Sequence, residues 1–329
     1  MFRMLLIPRL LAVTGLTGLA VLAVPASADP VQQQAQAVFG NGAAPQSDYS
    51  EAEAIFGRKL FFDERISMDG TNCGTCHQYE KGGADGRVTA QGAFGRVGKR
   101  NTPTVVDIVP QFIMHWVGDR ESLEDQAIRS LTAPPAYAHT SIDSALDAIR
   151  KLPDLQQGFD SLYEDGVSAA NWGKAIAAYQ EHLVTESAFD RYLQGDEQAL
   201  TAAQKQGLQV FMNTGCAGCH NGRLLGGTSY QKFGVVADYT QYTGSAEDIG
   251  RMAFTGNESD RRVFKVPPIR HAAQTAPYFH DGSVATLSDA ISIMARVQLG
   301  RDLSAGDISA IEQFLQATTA PMPEAMKKP

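Results

Sequence analysis

Four cysteines and two histidines stand at spacings that could carry redox chemistry. They form two Cys-x-x-Cys-His motifs: Cys73, Cys76 and His77, then Cys216, Cys219 and His220. This motif attaches c-type haem, because two thiols on one helical turn can both reach the porphyrin vinyl groups. The histidine that follows then binds the iron as its proximal ligand. The two motifs use every cysteine of the chain, so we predict two covalently bound haem c groups.

Two other uses of paired cysteines fit this pattern less well. Zinc ribbons carry their cysteine pairs roughly 15–20 residues apart, whereas more than a third of the chain separates Cys76 from Cys216. A disulfide within each pair is compatible with an oxidising compartment. It does not explain why a histidine follows both pairs.

The first 28 residues have the pattern of a secretory signal peptide. Arg3 and Arg9 give a basic start, Leu10 to Val24 is apolar, and Ala26-Ser27-Ala28 supplies small residues for cleavage. The alternative is an uncleaved membrane anchor, for which the apolar run is short. No later stretch reads as a membrane span, so we expect none after cleavage. Export together with covalent haem predicts a periplasmic location.

The chain is acidic, with a formal net charge of −8, and removal of the two N-terminal arginines makes it more so. An acidic surface does not suit nucleic acid, and we expect no such partner. It would attract a basic protein, such as a small electron donor. A charge of this size also simply favours solubility.

The elements that must position the two motifs repeat along the chain. Ser50 and Glu53 form a capping box, which predicts a helix that leads through phenylalanines into the first motif. Thr201 and Gln204 form the same signal ahead of the second motif. A last helix is predicted from about Ser304, with apolar residues on one face.

This repetition predicts a weak internal duplication. Strand signals are sparse, so the expected fold is all-α, with two cytochrome c-like domains and one haem in each. We place the N-terminal domain at residues 29–195 and the C-terminal domain at 196–329, after the signal peptide at 1–28.

Longer stretches of the chain resemble the bacterial di-haem cytochrome c peroxidases, in order and over essentially all of the sequence after residue 28. The wider family includes the tryptophylquinone-forming di-haem enzymes of methylamine utilisation. The stretches that carry the resemblance are Leu60–Asp63, Cys73–His77, Gly82–Gly86, Asn101–Val105, Trp116, Phe264–Pro267, Thr275–Gly282 and Met294–Gly300.

The resemblance implies different work for the two haems. The haem on His77 would reduce peroxide, and the haem on His220 would accept electrons at high potential, with Met294 as its second ligand. A thioether ligand raises haem potential. The tryptophylquinone-forming enzymes have a tyrosine at this position, so Met294 favours the peroxidase branch. Trp116 matches the tryptophan that lies between the haems in the family, and Gln126 matches its distal glutamine.

The resemblance also implies a calcium ion between the domains, held by Asn101, Thr275 and Pro277. Amide and carbonyl oxygens suit this hard cation. His280 matches a family histidine near the haems, for which we expect a structural hydrogen-bonding role. Family members are often homodimers, which gives the same expectation here.

Two positions depart from the family pattern. Ala93 stands where many members have a distal histidine that ligates the peroxidatic iron, and alanine cannot bind iron. Ala136 stands where the family has its catalytic glutamate, so general acid–base help worth about 10²–10⁴ in rate is missing at this position. The polar residues considered as substitutes are Glu121, Glu124, His115 and His139.

The resulting expectation is a periplasmic peroxidase. It would reduce hydrogen peroxide to water with electrons from a small redox protein, either a c-type cytochrome or a cupredoxin. Two alternatives stay open: a di-haem oxidase of another, protein substrate, and a non-enzymatic di-haem electron carrier.

Overall fold

The computed structural model describes residues 29–244 and 246–329, and within them the secondary structure is mainly α-helical. The predicted signal peptide at 1–28 lies outside the described residues. In chain order the helices are α1 Pro30–Phe39, α2 Glu51–Phe62, α3 Cys73–Cys76, α4 Leu123–Ser130, α5 Ile142–Arg150, α6 Pro153–Leu162, α7 Ala169–Glu181, α8 Ala188–Leu193, α9 Ala202–Thr214, α10 Met252–Thr255, α11 Leu287–Leu299 and α12 Ala305–Ala317. None of the helices in this described part is both long and apolar enough to cross a membrane.

Strands play a small part. Strand β1 (Tyr230–Lys232) pairs antiparallel with strand β2 (Val263–Lys265), and Gln231 lies opposite Phe264. The prediction of a helix-rich fold is confirmed, and this short two-stranded ribbon is a local departure from an all-α chain.

The helices that precede the two motifs begin where their capping signals predict. The Ser50 side chain accepts a hydrogen bond from the Glu53 backbone N–H, and the Glu53 side chain accepts one from the Ser50 backbone N–H. Both hydrogen bonds of the first capping box therefore form. Thr201 and Gln204 form the second box at the start of α9. Ser304 caps α12 through the Asp307 N–H. Both predicted boxes are confirmed.

The two leading helices also pack in the same way, each against a later helix at a glycine. A Cβ atom on Gly57 of α2 would lie 1.8 Å from the Ala175 carbonyl oxygen of α7, and one on Gly207 of α9 would lie 1.9 Å from the Ala310 oxygen of α12. Only glycine permits such a close crossing of backbones. The internal duplication therefore extends from the sequence motifs to the helix packing.

The packing divides the buried apolar residues into two large clusters that cross the predicted boundary at 195 and 196. The first contains residues of α2 and α4–α7, together with Met322 and Met326 from the C-terminal segment. The second contains residues of α9 and α12, together with Phe39 of α1 and Phe189 of α8. Each cluster thus includes a segment from the other end of the chain. The division into domains at this boundary stays a prediction.

A buried ionic cluster joins the two halves. Asp107 carries no exposed side-chain surface, and it accepts from Arg223 Nη1 at 2.9 Å, Arg270 Nε at 2.9 Å and His271 Nε2 at 2.8 Å. Arg270 also binds Asp190 at 2.6 Å. These partners keep the pKa of Asp107 well below its ordinary value, although burial alone would raise it. The cluster ties residues from both predicted domains to one carboxylate.

Candidate haem sites and the residues between them

The first motif lies on a single helical turn directly after α2. Helix α3 begins at Cys73 and ends at Cys76, and the His77 N–H donates to the Cys73 carbonyl at 3.0 Å. His77 Nδ1 lies 2.9 Å from the Gly83 carbonyl oxygen, so Nδ1 carries the proton and donates it. Nε2 is then the ring nitrogen with a lone pair for a metal. Burial lowers the pKa of His77, which favours this neutral form.

The second motif repeats this arrangement. The His220 N–H donates to the Cys216 carbonyl at 2.9 Å, and His220 Nδ1 lies 2.9 Å from the Leu225 carbonyl oxygen. Burial lowers the pKa of His220 as well. The ring of Phe61 lies 6.2 Å from that of His77, and the ring of Phe211 lies 6.5 Å from that of His220. Each phenylalanine stands four residues after the glycine of its helix crossing.

These donor sets fit covalent haem. All four cysteines lie in the described part of the chain, are partly buried and are not paired in disulfides. Each pair precedes a histidine, partly buried at His77 and buried at His220, whose orientation is fixed through Nδ1, the usual arrangement for a metal-ligating histidine. Among residues 29–244 and 246–329 no group of three or more histidine, cysteine or acidic side chains is placed to hold a bare metal ion.

Trp116 lies at the contact between the N-terminal and C-terminal halves. It sits in a tight hairpin closed by the bridge between Met114 and Arg120. Its indole N–H donates to the Asn101 carbonyl at 2.9 Å, and its ring meets the His280 ring edge-on at 6.3 Å. Its own carbonyl accepts from the Lys265 N–H at 2.8 Å. Residues of both halves therefore fix the indole.

The three residues considered for calcium lie on segments that face each other. The Asn101 N–H donates to the His280 carbonyl at 2.8 Å, and a Cβ on Gly82 would lie 3.2 Å from the Thr275 side chain. Thr275, Pro277 and His280 share one loop, so the loop that contains Asn101 lies against it. Calcium binding itself stays a prediction. His280 is buried and packs on Phe264 at 4.2 Å, as expected for a structural residue.

The two departures from the family pattern lie on loops that contact each other near the first motif. Ala93 is fully buried, and a Cβ on its neighbour Gly92 would lie 1.6 Å from the Pro135 carbonyl oxygen, directly before Ala136. Cys76 Sγ lies 3.7 Å from the Gln91 carbonyl oxygen, which places the first loop beside the motif. Neither alanine can supply a ligand or a proton there.

Three of the four residues considered as substitutes already have partners. His115 Nδ1 binds Asp119 at 3.0 Å, and His139 Nε2 lies 2.8 Å from the Ile66 carbonyl oxygen. Glu124 accepts from the Tyr49 hydroxyl, and this bond helps to lower its pKa, although burial acts the other way. Glu121 is exposed. The structure therefore points to no direct replacement for the missing glutamate.

Gln126 and Met294 both lie on helices and are partly buried. Gln126 is in α4, which packs against α7. Met294 is in α11, one turn after Ile291, which packs on the second apolar cluster together with Cys216. Residues three apart share a helix face, so Met294 lies on the side of α11 that faces this cluster. Its role as an iron ligand stays a prediction.

Tyr137 is a site residue that sequence reasoning missed. Its hydroxyl lies 3.3 Å from Cys73 Sγ, and its ring meets Trp172 edge-on at 5.5 Å. Burial raises the pKa of this phenol well above its ordinary value. It directly follows Ala136, but an aromatic residue in a Pro-rich loop gives no signal of a contact with Cys73.

Comparison with known proteins agrees with this geometry. Residues 51–198 match the family model described as di-haem cytochrome c peroxidase. The chain is 41% identical to cytochrome c peroxidase Ccp of Escherichia coli over 83% of its own length and 59% of that protein. It is 37% identical to cytochrome c551 peroxidase of Pseudomonas aeruginosa over 91% of its length and 89% of the relative. The chain thus spans less than two thirds of the first relative and most of the second.

A solved structure supports the fold. A MauG-like protein associated with microbial copper homeostasis superposes with a TM-score of 0.73 at 25% identity, covering 87% of this chain and 95% of that one. The predicted resemblance is confirmed by sequence over most of the chain and by backbone shape. With its paired Cys-x-x-Cys-His motifs, the chain belongs to the di-haem cytochrome c peroxidase family.

Proposed function

We propose that this chain is a periplasmic peroxidase with two haem c groups, which reduces hydrogen peroxide to water with electrons from a small redox protein. The observation that carries the proposal is the pair of Nδ1-anchored histidines, the partly buried His77 and the buried His220, together with Trp116 at the contact between the two halves. Membership of the family supports the same activity. The proposed haem domains correspond to residues 29–195 and 196–329.

The chain's own residues would hold the two groups differently. Cys73 and Cys76 would attach the first, with His77 as its ligand, and Cys216 and Cys219 would attach the second. Bound haem supplies an iron that takes up and releases single electrons. The Gly83 and Leu225 carbonyls orient the two imidazoles by accepting a hydrogen bond from Nδ1–H, and this bond makes Nε2 a better ligand. Met294 would complete the second site and raise its potential.

Electrons would enter at the second site and leave at the first. The acidic net charge of −8 would attract a basic donor, either a c-type cytochrome or a cupredoxin. Trp116 would pass electrons between the sites, because its indole contacts residues of both halves. Calcium at Asn101, Thr275 and Pro277 would stiffen the same contact, and a homodimer is the proposed assembly.

The peroxide side of the first site would be open at rest. Ala93 provides no ligand to displace, so peroxide would react without prior reduction of the second site. Gln126 would orient the substrate by hydrogen bonding. Ala136 provides no carboxylate to move a proton between the peroxide oxygens, so turnover would be slower than with a positioned acid–base group.

Peroxide turnover with reduced cytochrome c as donor tests the proposal. The purified two-haem protein should oxidise the cytochrome only when hydrogen peroxide is present, and the Cys73→Ser, Cys76→Ser double variant should lose this activity while it retains the second haem. A protein that carries both haems and leaves the cytochrome reduced would contradict the proposal.

A second candidate is a di-haem electron carrier without catalysis, which Ala136 favours because it removes the acid–base group. The carrier would exchange electrons with cytochrome c at rates that do not depend on peroxide. The same assay therefore separates the two functions. An oxidase acting on a protein is less favoured, because Met294 is not the tyrosine of the tryptophylquinone-forming enzymes.

A further inference from the structure

Strand β2 carries a buried lysine that has no role in the reaction described above. The side chain of Lys265 lies in the interior, and the whole residue is 6% exposed. Its Nζ donates to the Ile113 carbonyl at 3.1 Å and to the amide oxygen of Gln111. Both acceptors are neutral. Within residues 29–244 and 246–329, no carboxylate lies at ion-pair distance from this amine, and burial is the only influence on its pKa.

A lysine in this setting is unusual and energetically costly. Lysine is almost never fully buried unless a carboxylate pairs with it, because transferring an ammonium group out of water costs several kcal/mol. The same burial lowers the pKa of Lys265 to about 7. A methionine of similar length would fill the space without this cost. What lysine provides here and methionine cannot is the hydrogen bonds of the amine, so a role for Lys265 must lie in these bonds.

Those hydrogen bonds all reach one segment. Lys265 binds residues 111–116 through both its side chain and its backbone. Its amine donates to Gln111 and Ile113, and its backbone N–H donates to the Trp116 carbonyl at 2.8 Å. Gln111 is itself anchored, because its side-chain amide donates to the Ile108 carbonyl at 2.9 Å. The segment comes from the N-terminal half, and β2 comes from the C-terminal half.

The rest of the indole's surroundings shows why this matters. The Trp116 ring is fixed at one side by the Asn101 carbonyl and meets His280, which packs on Phe264, the neighbour of Lys265 in β2. The backbone of the hairpin needs its own anchor for the ring to stay in this position. Arg251 gives one such bond, to the Val117 carbonyl at 3.0 Å. Lys265 provides the others: its amine binds Gln111 and Ile113, before the indole, and its backbone N–H binds the carbonyl of Trp116 itself.

We propose that Lys265 is a positioning residue for electron passage: it clamps segment 111–116 onto strand β2, so that the Trp116 indole stays fixed between the two haem sites. The inference rests on the proposed function, because it gives Lys265 a part in transfer between the haems. Transfer through protein depends steeply on the placement of the relay group. Loosening the clamp therefore slows transfer without altering either haem site.

The test compares variants of the two-haem protein. Lys265→Met removes the amine and keeps the length of the side chain. Lys205→Met is the control, since the Lys205 amine, on α9, binds Asp29 at 3.0 Å and lies over the Tyr192 ring. Two quantities are measured: the rate at which an electron delivered to the second haem reaches the first, followed by absorbance, and the hydrogen exchange of backbone amides in residues 108–117.

The expected result for Lys265→Met is a several-fold slower transfer and faster amide exchange in residues 108–117, with both haem absorption spectra unchanged. Lys205→Met keeps the parent values. Lys265→Arg retains a cationic donor and restores a large part of the transfer rate. A generally destabilised protein would lose the spectra as well, and this difference separates positioning from a merely structural role.

Changes at Gln111 keep the test decisive where Lys265→Met does not fold. Gln111 is only partly buried, so Gln111→Met, which removes the acceptor of the Lys265 amine and the donor to Ile108, has little structural cost and gives an intermediate transfer rate. Gln111→Glu also loses the donor to Ile108 but keeps an acceptor for the Lys265 amine, so it should transfer electrons faster than Gln111→Met. Parent transfer and parent exchange in both methionine variants would overturn the clamp. A parent protein that passes no electron between its haems would refute the proposed function alone. In that case, amide hydrogen exchange in residues 108–117 that is equal in the parent and in Lys265→Met would still overturn the clamp.

Discussion

The glycine at the crossing of α2 and α7 makes a sharp test of how the first unit is built. Gly57→Ala adds one methyl group that would lie 1.8 Å from the Ala175 carbonyl oxygen. Ordinary contact begins at 3.4 Å, so the two helices would have to separate by roughly 1.5 Å. The obstacle is a backbone carbonyl and cannot rotate away. The ring of Phe61, one turn further along α2, would move with the helix relative to His77.

Two opposing energies decide the sign of this substitution. Alanine is better than glycine in a helix by about 1 kcal/mol, which would stabilise the protein. Forcing an extra methyl group into a packed contact costs about 1–3 kcal/mol, and contact with a rigid backbone belongs at the upper end. We therefore expect a net loss of about 1–2 kcal/mol, which corresponds to a fall in Tm of a few degrees, at about 2–4 °C per kcal/mol.

Thermal unfolding of the haem-loaded protein, followed by far-UV circular dichroism, measures this loss. Gly306→Ala is the matched control, because its Cβ would meet only the Ser304 hydroxyl at 3.6 Å and the change should not destabilise. Gly57→Ala should alter the spectrum of the first haem alone, and Gly207→Ala that of the second. An unchanged or raised Tm for Gly57→Ala would show that the helices do not cross this closely, and the reasoning would be refuted.

Three further predictions concern ligation, catalysis and the contact between the halves. Met294→His should lower the midpoint potential of the second haem only, because the axial ligand tunes haem potential; an unchanged redox titration would mean that Met294 only packs. Ala136→Glu should raise the peroxidase rate by part of the roughly 10²–10⁴ that a positioned acid–base group supplies; a folded two-haem variant with no gain would show that other groups already move the proton or that peroxide is not the substrate. Asp107→Asn should cost about 3–5 kcal/mol of stability, because Arg223 and His271 lose their buried carboxylate and Arg270 keeps only that of Asp190. Asp154→Asn, which removes surface ion pairs with Lys59 and Arg65, should cost about 1 kcal/mol at most. Since the folded pKa of Asp107 lies below its ordinary value of 3.8, its contribution to stability is present above about pH 4 and is lost as the pH falls, so the free energies of unfolding of parent and Asp107→Asn should converge in acid. A constant difference down to low pH would contradict this assignment.

The sequence predicts those features that depend on residues close together in the chain. The capping boxes at Ser50 and Thr201 were readable because a cap and its partner lie within one turn of each other. The haem motifs were readable for the same reason, since Cys73, Cys76 and His77 occupy consecutive positions of one turn. The resemblance to the family placed Trp116 and Met294 on matching motifs.

Contacts between distant parts of the chain were not readable in this way. Helix α1 packs on the second apolar cluster and Met326 on the first, and no local pattern states which core an apolar face will join. In the sequence, Gly57 looks like an ordinary glycine within a helix, because its close contact with Ala175 depends on which helix packs against α2. Lys265 reads as a surface residue, because burial of a lone lysine in a strand depends entirely on what covers the strand.

In the proposed reaction, peroxide takes one electron from each of two haems in the same chain. The most direct measurement is a titration of the fully reduced two-haem protein with hydrogen peroxide, without any external donor, followed at the absorption bands of both haems. Reduction of one peroxide to two waters consumes two electrons. One equivalent should therefore oxidise both haems completely, and further peroxide should then find no ferrous haem left to oxidise. A protein whose second haem stays reduced after one equivalent, or whose haems both stay reduced, would contradict the proposed reaction.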